Sequence, residues 1–416
     1  MNASFHKGNR QKLFEMLPAG ALLLMFAGVE FRKTNDEYYP FYAERNFVYL
    51  TGIQSKESVL LAAKDQNGET WERLYILRPD DLAERWTGRR ITMAEAEAAS
   101  GISDVRYTER LDQDLHVLAA GGRFERLYLD LFRADPLDQE RPSHRLAAQA
   151  AARYPCLQIH TVHTKIGRLR LIKQACEIEA IRQAEKITKD GILAMMKASK
   201  PGMYEFQYKA AFDYALGQHG PQGPAFPPII SAGKNNFCIH YYAYTGCAQD
   251  GDMILSDVGG QYDNLMTDVS RAWPCNGHFD QRQKCLYECA LATSDHMFSV
   301  IRPGMRMDAV DQTIRSFNAE RLREAGVLSS AAEIGTYMWH GGAHHVGYDV
   351  HDAVEKPRLL APGMVFCVDV GIYHQQWGIG FRLEDNCLVT EDGCENLSRS
   401  IPRTVEDIEA VMRGYP

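Results

Sequence analysis

No two cysteines in this 416-residue chain are spaced C-x-x-C, and the ten present follow no regular interval. That excludes a disulfide framework or a zinc-thiolate site as the organising principle and points to reduced thiols in a cytoplasmic setting. Cys285 and Cys289, four apart on an expected helix face, read as core packing. Basic runs are missing too. With a formal net charge of -8, a nucleic-acid backbone is excluded as the main partner. Nor is there an apolar run long enough for a membrane: Ala19–Val29 is about 11 residues, too short to span a bilayer. It ends in Glu30-Phe31-Arg32 without a cleavage pattern, so it reads as a buried strand and not a signal peptide.

What remains is an ordinary globular composition, 45% hydrophobic and 24% charged, on a chain long enough for two domains. Up to about residue 165, apolar runs (Ala21–Val29, Phe47–Leu50, Val59–Ala63, Leu74–Leu77, Arg126–Leu131) alternate with helical stretches such as Thr92–Ala99, an α/β pattern. The Arg-rich segment Glu84–Arg90 within it reads as an exposed loop or a contact for a partner or ligand. Beyond Thr161–Arg170 the character changes. A long amphipathic helix is expected from about Gln174 to Lys197, with Ile178, Ile181, Ala184, Ile187 and Ile192 on one face. The domains are therefore expected at 1–165 and 166–416.

The second part carries an internal repeat. Lys200-Pro201-Gly202-Met203 and Arg302-Pro303-Gly304-Met305 each join two helices, and a histidine-bearing segment expected to be a strand follows each: Phe237–His240, then His340–His344. Each copy closes on a carboxylate hairpin. Facing residues of a hairpin have a constant sum of positions, which pairs Asp257 with Asp268 about a turn at Tyr262–Asp263, and Asp369 with Glu384 about Gln376–Trp377. Like charges directly opposite repel, so each pair is either solvent-exposed or holds a cation. Two such halves, related by a pseudo-two-fold axis, would bring four carboxylates together.

Four carboxylates with nearby imidazoles suit two hard or borderline divalent ions. Ions roughly 3.5–4 Å apart can share bridging carboxylates and a nucleophilic hydroxide. The histidines are concentrated where such a site needs them. With 14 in the chain, a 12-residue window should hold roughly half a histidine on average, yet His340–His351 holds four, beside glycines that allow close backbone approach.

In order and spacing, Asp257, Asp268, His344, Asp369 and Glu384 resemble the five metal ligands of the pita-bread metallopeptidases, which include methionine aminopeptidase, prolidase and aminopeptidase P. The resemblance is closest to bacterial aminopeptidase P (Xaa-Pro aminopeptidase) and covers nearly the whole chain. It is carried by Tyr39–Gly52, by His344–Asp352 and by Gly378–Asp385. The fold it implies is an α/β N-terminal domain followed by an α+β pita-bread (creatinase/aminopeptidase-type) catalytic domain with a pseudo-two-fold repeat. The activity it implies is hydrolysis of the bond between an N-terminal residue and a following proline by a hydroxide bridging two metal ions, Mn²⁺ foremost, with Co²⁺, Fe²⁺ or Zn²⁺ as alternatives. Asp257 would bind one ion, Asp268 and Glu384 would bridge, and His344 with Asp369 would complete the other. His240, His351 and Arg382 match catalytic positions. His340 and Trp86 match substrate-binding ones, Trp86 in an N-terminal domain that narrows the entrance. The partners implied are a peptide with proline second and further copies of the chain in a homodimer or homotetramer, with neither nucleic acid nor membrane.

One departure from the family is plain. Val368-Asp369-Val370-Gly371 stands where the family has Val-Glu-Pro-Gly. Aspartate keeps the charge but is one methylene shorter, and metal-ligand distances tolerate only about 0.2 Å. Either the backbone moves in, freed by Val370, or a water fills the gap. Ser256 and Thr267 also differ from the usual neighbours and are expected to place hydroxyls near the first two ligands. The Asp369 change motivates one alternative to the aminopeptidase, a metal-deficient peptide-binding homologue; the other is a prolidase for Xaa-Pro dipeptides, separated by pocket length.

Overall fold

A computed structural model describes residues 1–352 and 359–414. It divides into two compact units, Met1–Arg170 and Leu171–Pro416.

The first unit is built on a mixed sheet of β1 (Ala21–Phe26), β2 (Val59–Lys64), β3 (Thr70–Ile76), β4 (Val105–Tyr107), β5 (Arg126–Leu129) and β6 (Gln158–Thr161), in the order β4-β3-β2-β1-β5-β6. Its helices are α1 (Ala3–Met16), α2 (Arg45–Thr51), α3 (Asp81–Thr87), α4 (Met93–Ser100), α5 (Leu111–Ala120), α6 (Pro142–Arg153) and α7 (His163–Leu171), the last crossing the division. Leu22, Leu24, Leu61, Tyr75, Leu127 and Leu129 of the sheet pack against Leu115 and Leu118 of α5. Of the five apolar runs, four contain strands. Phe47–Leu50 instead lies in α2, every residue of which is buried. A helix buried all round shows no amphipathic period, so a short apolar run cannot be told from a strand by pattern alone. Segment 84–87 closes α3, a helix with no buried residue.

The second unit opens with α8 (Ala175–Ala198), whose buried face includes Ile181, Ala184, Ile187 and Ile192 as the spacing required. Then come α9 (Glu205–Gly217), β7 (Ile229–Ala232), β8 (Met253–Val258), β9 (Gln261–Tyr262), β10 (Leu265–Met266) and β11 (Val269–Pro274). The second copy supplies α10 (Gln281–Val300), α11 (Met307–Glu324), β12 (Val365–His374), β13 (Ile379–Val389) and β14 (Cys394–Asn396), and α12 (Val405–Met412) follows. The repeat extends to individual hydrogen bonds. Gly202 and Gly304 both take φ 83°, and their N–H groups donate to Ala248 O (2.8 Å) and Leu360 O (2.9 Å). Ala248 and Leu360 donate back to the carbonyls of Met203 and Met305. Only glycine enters that backbone region without strain, so both turns need it.

Two antiparallel sheets follow from the repeat, β11-β8-β7 and β12-β13-β14. The histidine segments are not strands. Residues Gly233–Phe237 form a 3-10 turn, and the stretch from Gly342 runs irregularly along β12, where Asp369 and Cys367 donate to the carbonyls of Gly342 (2.8 Å) and His344 (2.9 Å). Among the described residues, no helix is long and apolar enough to cross a membrane.

The β8–β11 hairpin turns through β9 and β10 at Asp263 (φ 49°) and Asn264 (φ 68°), flanked by the Tyr262–Leu265 pair. Two consecutive left-handed residues make a type I′ turn, for which asparagine is well suited. Asn264→Val should lower stability by about 1–2 kcal/mol, measured by urea denaturation; an unchanged midpoint would contradict this turn.

Candidate metal centre

The I′ turn corrects the first facing pair. It places the hairpin axis between Asp263 and Asn264, one residue beyond the expected point, so Asp257 faces Ser270 and not Asp268. The shift in pairing is two residues, an even number, so Asp268 keeps to the same face as Asp257 and sits diagonally from it. Close approach of the two chains there depends on Gly259, where a Cβ would fall 1.9 Å from Thr267 O. In the second hairpin Asp369 and Glu384 face each other directly, as expected.

Strand alternation then lays out one polar face. Cys367, Asp369, Gly371 and Tyr373 of β12 lie opposite Asn386, Glu384, Arg382 and Gly380 of β13. The other face sends Val368, Val370, Ile372, Phe381 and Leu383 into the core. Beside Glu384, the buried Asp385 also belongs to that other face and meets Arg271 at 2.6 Å and Arg403 at 3.2 Å. Burial works to raise its pKa, but the two guanidiniums outweigh it and hold the carboxyl below the usual range. The same alternation corrects Ser256 and Thr267. Ser256 Oγ contacts Met195 Sδ at 4.0 Å and Thr267 Oγ1 meets Thr188 Oγ1 at 2.7 Å, so both hydroxyls turn to α8, away from the carboxylates.

Donor atoms converge in three overlapping groups, each with its atoms within 4.8 Å of one another: Asp257, Asp268 and Glu384; His344, Cys367 and Glu384; Asp268, His344 and His351. His344 Nε2 lies 3.3 Å from Asp268 Oδ2 and 3.8 Å from Glu384 Oε1. Asp369 belongs to none of the three groups; its Oδ2 is 3.2 Å from His340 Nδ1. His340 Nε2 meets Tyr373 OH at 3.0 Å, and Arg382 Nη1 donates to the same hydroxyl at 2.9 Å. Arg382 Nη2 donates to Asp257 Oδ2 at 2.7 Å. A hydrogen-bonded chain thus runs from Asp257 through Arg382 and Tyr373 to His340, whose Nδ1 is hydrogen-bonded to Gly341 O at 2.9 Å and lies at ion-pair distance from Asp369. It requires Gly371, where a Cβ would lie 2.4 Å from His340 Nε2.

His351 stacks on His344 with ring centroids 3.8 Å apart, and His240 is exposed on the loop after the 3-10 turn. Trp86 lies in α3 of the first unit and is 83% exposed. Residue-by-residue reading missed Cys367 and Tyr373. Both lie at even spacings from Asp369 along β12, so strand period was the signal that could have found them.

The electrostatics favour a bound cation over bare carboxylates. Burial first, and neighbouring carboxylates next, push Asp268 and Glu384 well above the usual carboxylate range. Burial raises Asp369 as well, against the pull of His340 and Arg382. Asp257 Oδ1 and Asp369 Oδ1 are buried without a hydrogen-bond partner. Packed acids with orphaned oxygens are costly unless positive charge meets them.

Residues 179–391 match metallopeptidase family M24, and residues 6–128 match the aminopeptidase P N-terminal domain. The chain belongs to family M24. Within it, the chain resembles the Xaa-Pro aminopeptidase of Escherichia coli K12, at 29% identity over 428 residues covering 97% of this chain and 96% of that one. A Bacillus anthracis structure assigned to aminopeptidase P superposes with a TM-score of 0.97 at 34% identity, covering 99% of both chains. Escherichia coli aminopeptidase P with the inhibitor Pro-Leu gives 0.91 at 27% identity, covering 100% of this chain and 99% of that one. Both domains of this M24 chain are therefore those of an aminopeptidase P with a pita-bread catalytic domain, and it is a hydrolase that binds divalent metal. The donor set fits such an ion: carboxylate and imidazole ligands on and beside the two hairpins, with buried oxygens otherwise unsatisfied.

Proposed function

We propose that this chain is a Xaa-Pro aminopeptidase that releases the N-terminal residue of peptides with proline second, using two divalent ions. The observation that carries this is the overlap of the donor groups, in which Glu384 and Asp268 each belong to two. Asp257, Asp268 and Glu384 would hold one ion, and the all-oxygen set suits Mn²⁺. His344, sharing Asp268 and Glu384, would hold the second. Bound there, the ions would polarise the scissile carbonyl and make water nucleophilic at neutral pH.

The chain's own residues supply the rest. Burial, then the neighbouring His344 and His240 imidazoles, lower the pKa of His351 to about 4, so its ring is neutral at pH 7 and can donate to an oxygen gaining charge. His240 is exposed nearby, and we assign the pair to the substrate amide and its protons. Arg382 is only 2% exposed, its Nη1 donates to Tyr373 OH, and its Nη2 donates to Asp257 and to the Ile239 carbonyl, while Nε is buried without a partner. We assign it to positioning Asp257, in place of direct contact with substrate. His340, hydrogen-bonded to Tyr373 and 3.2 Å from Asp369, is assigned the same role toward Asp369.

Two competing readings are separable. A prolidase would cleave Xaa-Pro and leave longer peptides intact. A metal-deficient binding protein, favoured only by the place of Asp369 outside the donor groups, would be nearly inactive until Asp369→Glu restored the reach. A metal-loaded assay of Xaa-Pro-Xaa, Xaa-Pro and Xaa-Ala-Xaa, with wild type and Asp369→Glu side by side, decides. The expected result is cleavage of the proline tripeptide by wild type, with the alanine peptide slower by at least about a hundred-fold and Asp369→Glu within about ten-fold of wild type. Cleavage of the dipeptide alone, or activity seen only in Asp369→Glu, would sink the proposal.

A further inference from the structure

We propose that Cys367 supplies a sulfur donor to the ion on the His344 side of the centre, making that position selective for zinc or cobalt over manganese. The proposal rests on the two-ion reading above and adds a ligand to it. Cys367 Sγ, a His344 ring nitrogen and a Glu384 oxygen lie within 4.8 Å of one another. Donors bound to one ion through sulfur and nitrogen sit within about 4.4 Å of each other, so closure needs only a small adjustment.

Asp369 leaves the room for it. Its carboxylate is one methylene shorter than glutamate, it is drawn to His340 at 3.2 Å, and its buried Oδ1 has no hydrogen-bond partner. Cys367 stands two residues earlier on the same face of β12 and is wholly buried. The His344 backbone N–H points at its sulfur from 3.4 Å, which fixes the thiol beside the imidazole ligand. Cys387 cannot substitute, because it pairs with Phe366 and faces the opposite side. A carboxylate, an imidazole and a sulfur form a softer set than the all-oxygen one next to it, so the two positions should differ in metal preference. The competing role for the thiol is to donate its hydrogen to Glu384, which a serine would preserve.

The test loads metal-free wild type, Cys367→Ser and Cys367→Ala with Co²⁺ and records absorption, then measures Zn²⁺ and Mn²⁺ affinity by calorimetry. Wild type should show a thiolate-to-cobalt charge-transfer band in the near ultraviolet that both variants lack. Zn²⁺ affinity should fall by at least about ten-fold in both variants, with the tighter Mn²⁺ event changed by less than about three-fold. Bound cobalt with visible ligand-field bands but no charge-transfer band in wild type overturns the Cys367 assignment alone, and this readout requires no variant to fold. Wild-type behaviour in Cys367→Ser, with loss only in Cys367→Ala, overturns it in favour of the hydrogen bond to Glu384. No bound cobalt in wild type overturns this assignment and the two-ion reading together.

Discussion

Glu384→Gln should lower kcat on a Xaa-Pro-Xaa tripeptide by at least about a thousand-fold while the protein stays folded. Glu384 is the residue common to the all-carboxylate group and the His344–Cys367 group, and Ser270 Oγ donates to its Oε2 at 2.9 Å. A shared carboxylate uses both oxygens. Glutamine keeps the volume and one acceptor but replaces the other with an amide NH₂, which repels a cation. Its backbone place, mid-strand opposite Asp369, is unaffected. Steady-state kinetics with saturating Mn²⁺, together with thermal unfolding of the metal-free protein, would check both halves. A kcat within ten-fold of wild type would remove Glu384 from the centre.

Asp268→Asn should act in opposite directions with and without metal. In the metal-free protein, burial and then the charge of Asp257 raise the Asp268 pKa well above its ordinary value. A carboxyl raised in the native state holds a proton there that it releases in the unfolded chain. Its contribution to stability is full below pH 4 and is lost as pH rises through the native value. Metal-free wild type should therefore lose, between pH 4 and 8, stability that Asp268→Asn retains, and the variant should equal or exceed it at pH 7.5. Adding Mn²⁺ reverses the order. Wild type gains about 2.7 kcal/mol at a hundred times the dissociation constant, and the variant at the same concentration gains little. Urea denaturation with chelator and with Mn²⁺, at pH 5 and pH 7.5, gives the four values needed. A variant destabilised without metal but equally stabilised by it would place Asp268 outside the metal site.

How far the site could be read from the sequence depended on turns. Asp369 and Glu384 were found facing because the 3-10 link Gln375–Trp377, ended by Gly378 at φ 67°, is symmetric about the expected point. The same arithmetic misplaced Asp268, because Asp263 and Asn264 both adopt left-handed backbone that a constant-sum rule does not contain. The face survived because the error was even. Ser256 and Thr267 failed by the complementary logic: adjacent to a ligand along a strand means opposite to it across the sheet. Phe47–Leu50 failed because burial on all sides of α2 erased its period. The place of Asp369 was not legible either. Its charge and its strand position are plain in the sequence, but the pull of His340, two β12 residues along at Gly371, is a tertiary contact between distant segments. Cys367 was hidden among ten cysteines judged by their spacing to one another, when the spacing that mattered was to Asp369.

The central claim is that Asp257, Asp268, His344 and Glu384 would hold paired ions that supply the nucleophile for cleaving the bond before proline. The most direct test strips the protein with chelator, adds Mn²⁺ in measured equivalents, and follows release of the first residue from a Xaa-Pro-Xaa tripeptide. The account predicts no release from stripped protein and a rise that levels off near two equivalents per chain. Full activity in the chelated protein, or none at any loading with Mn²⁺, Co²⁺ or Zn²⁺, would contradict it.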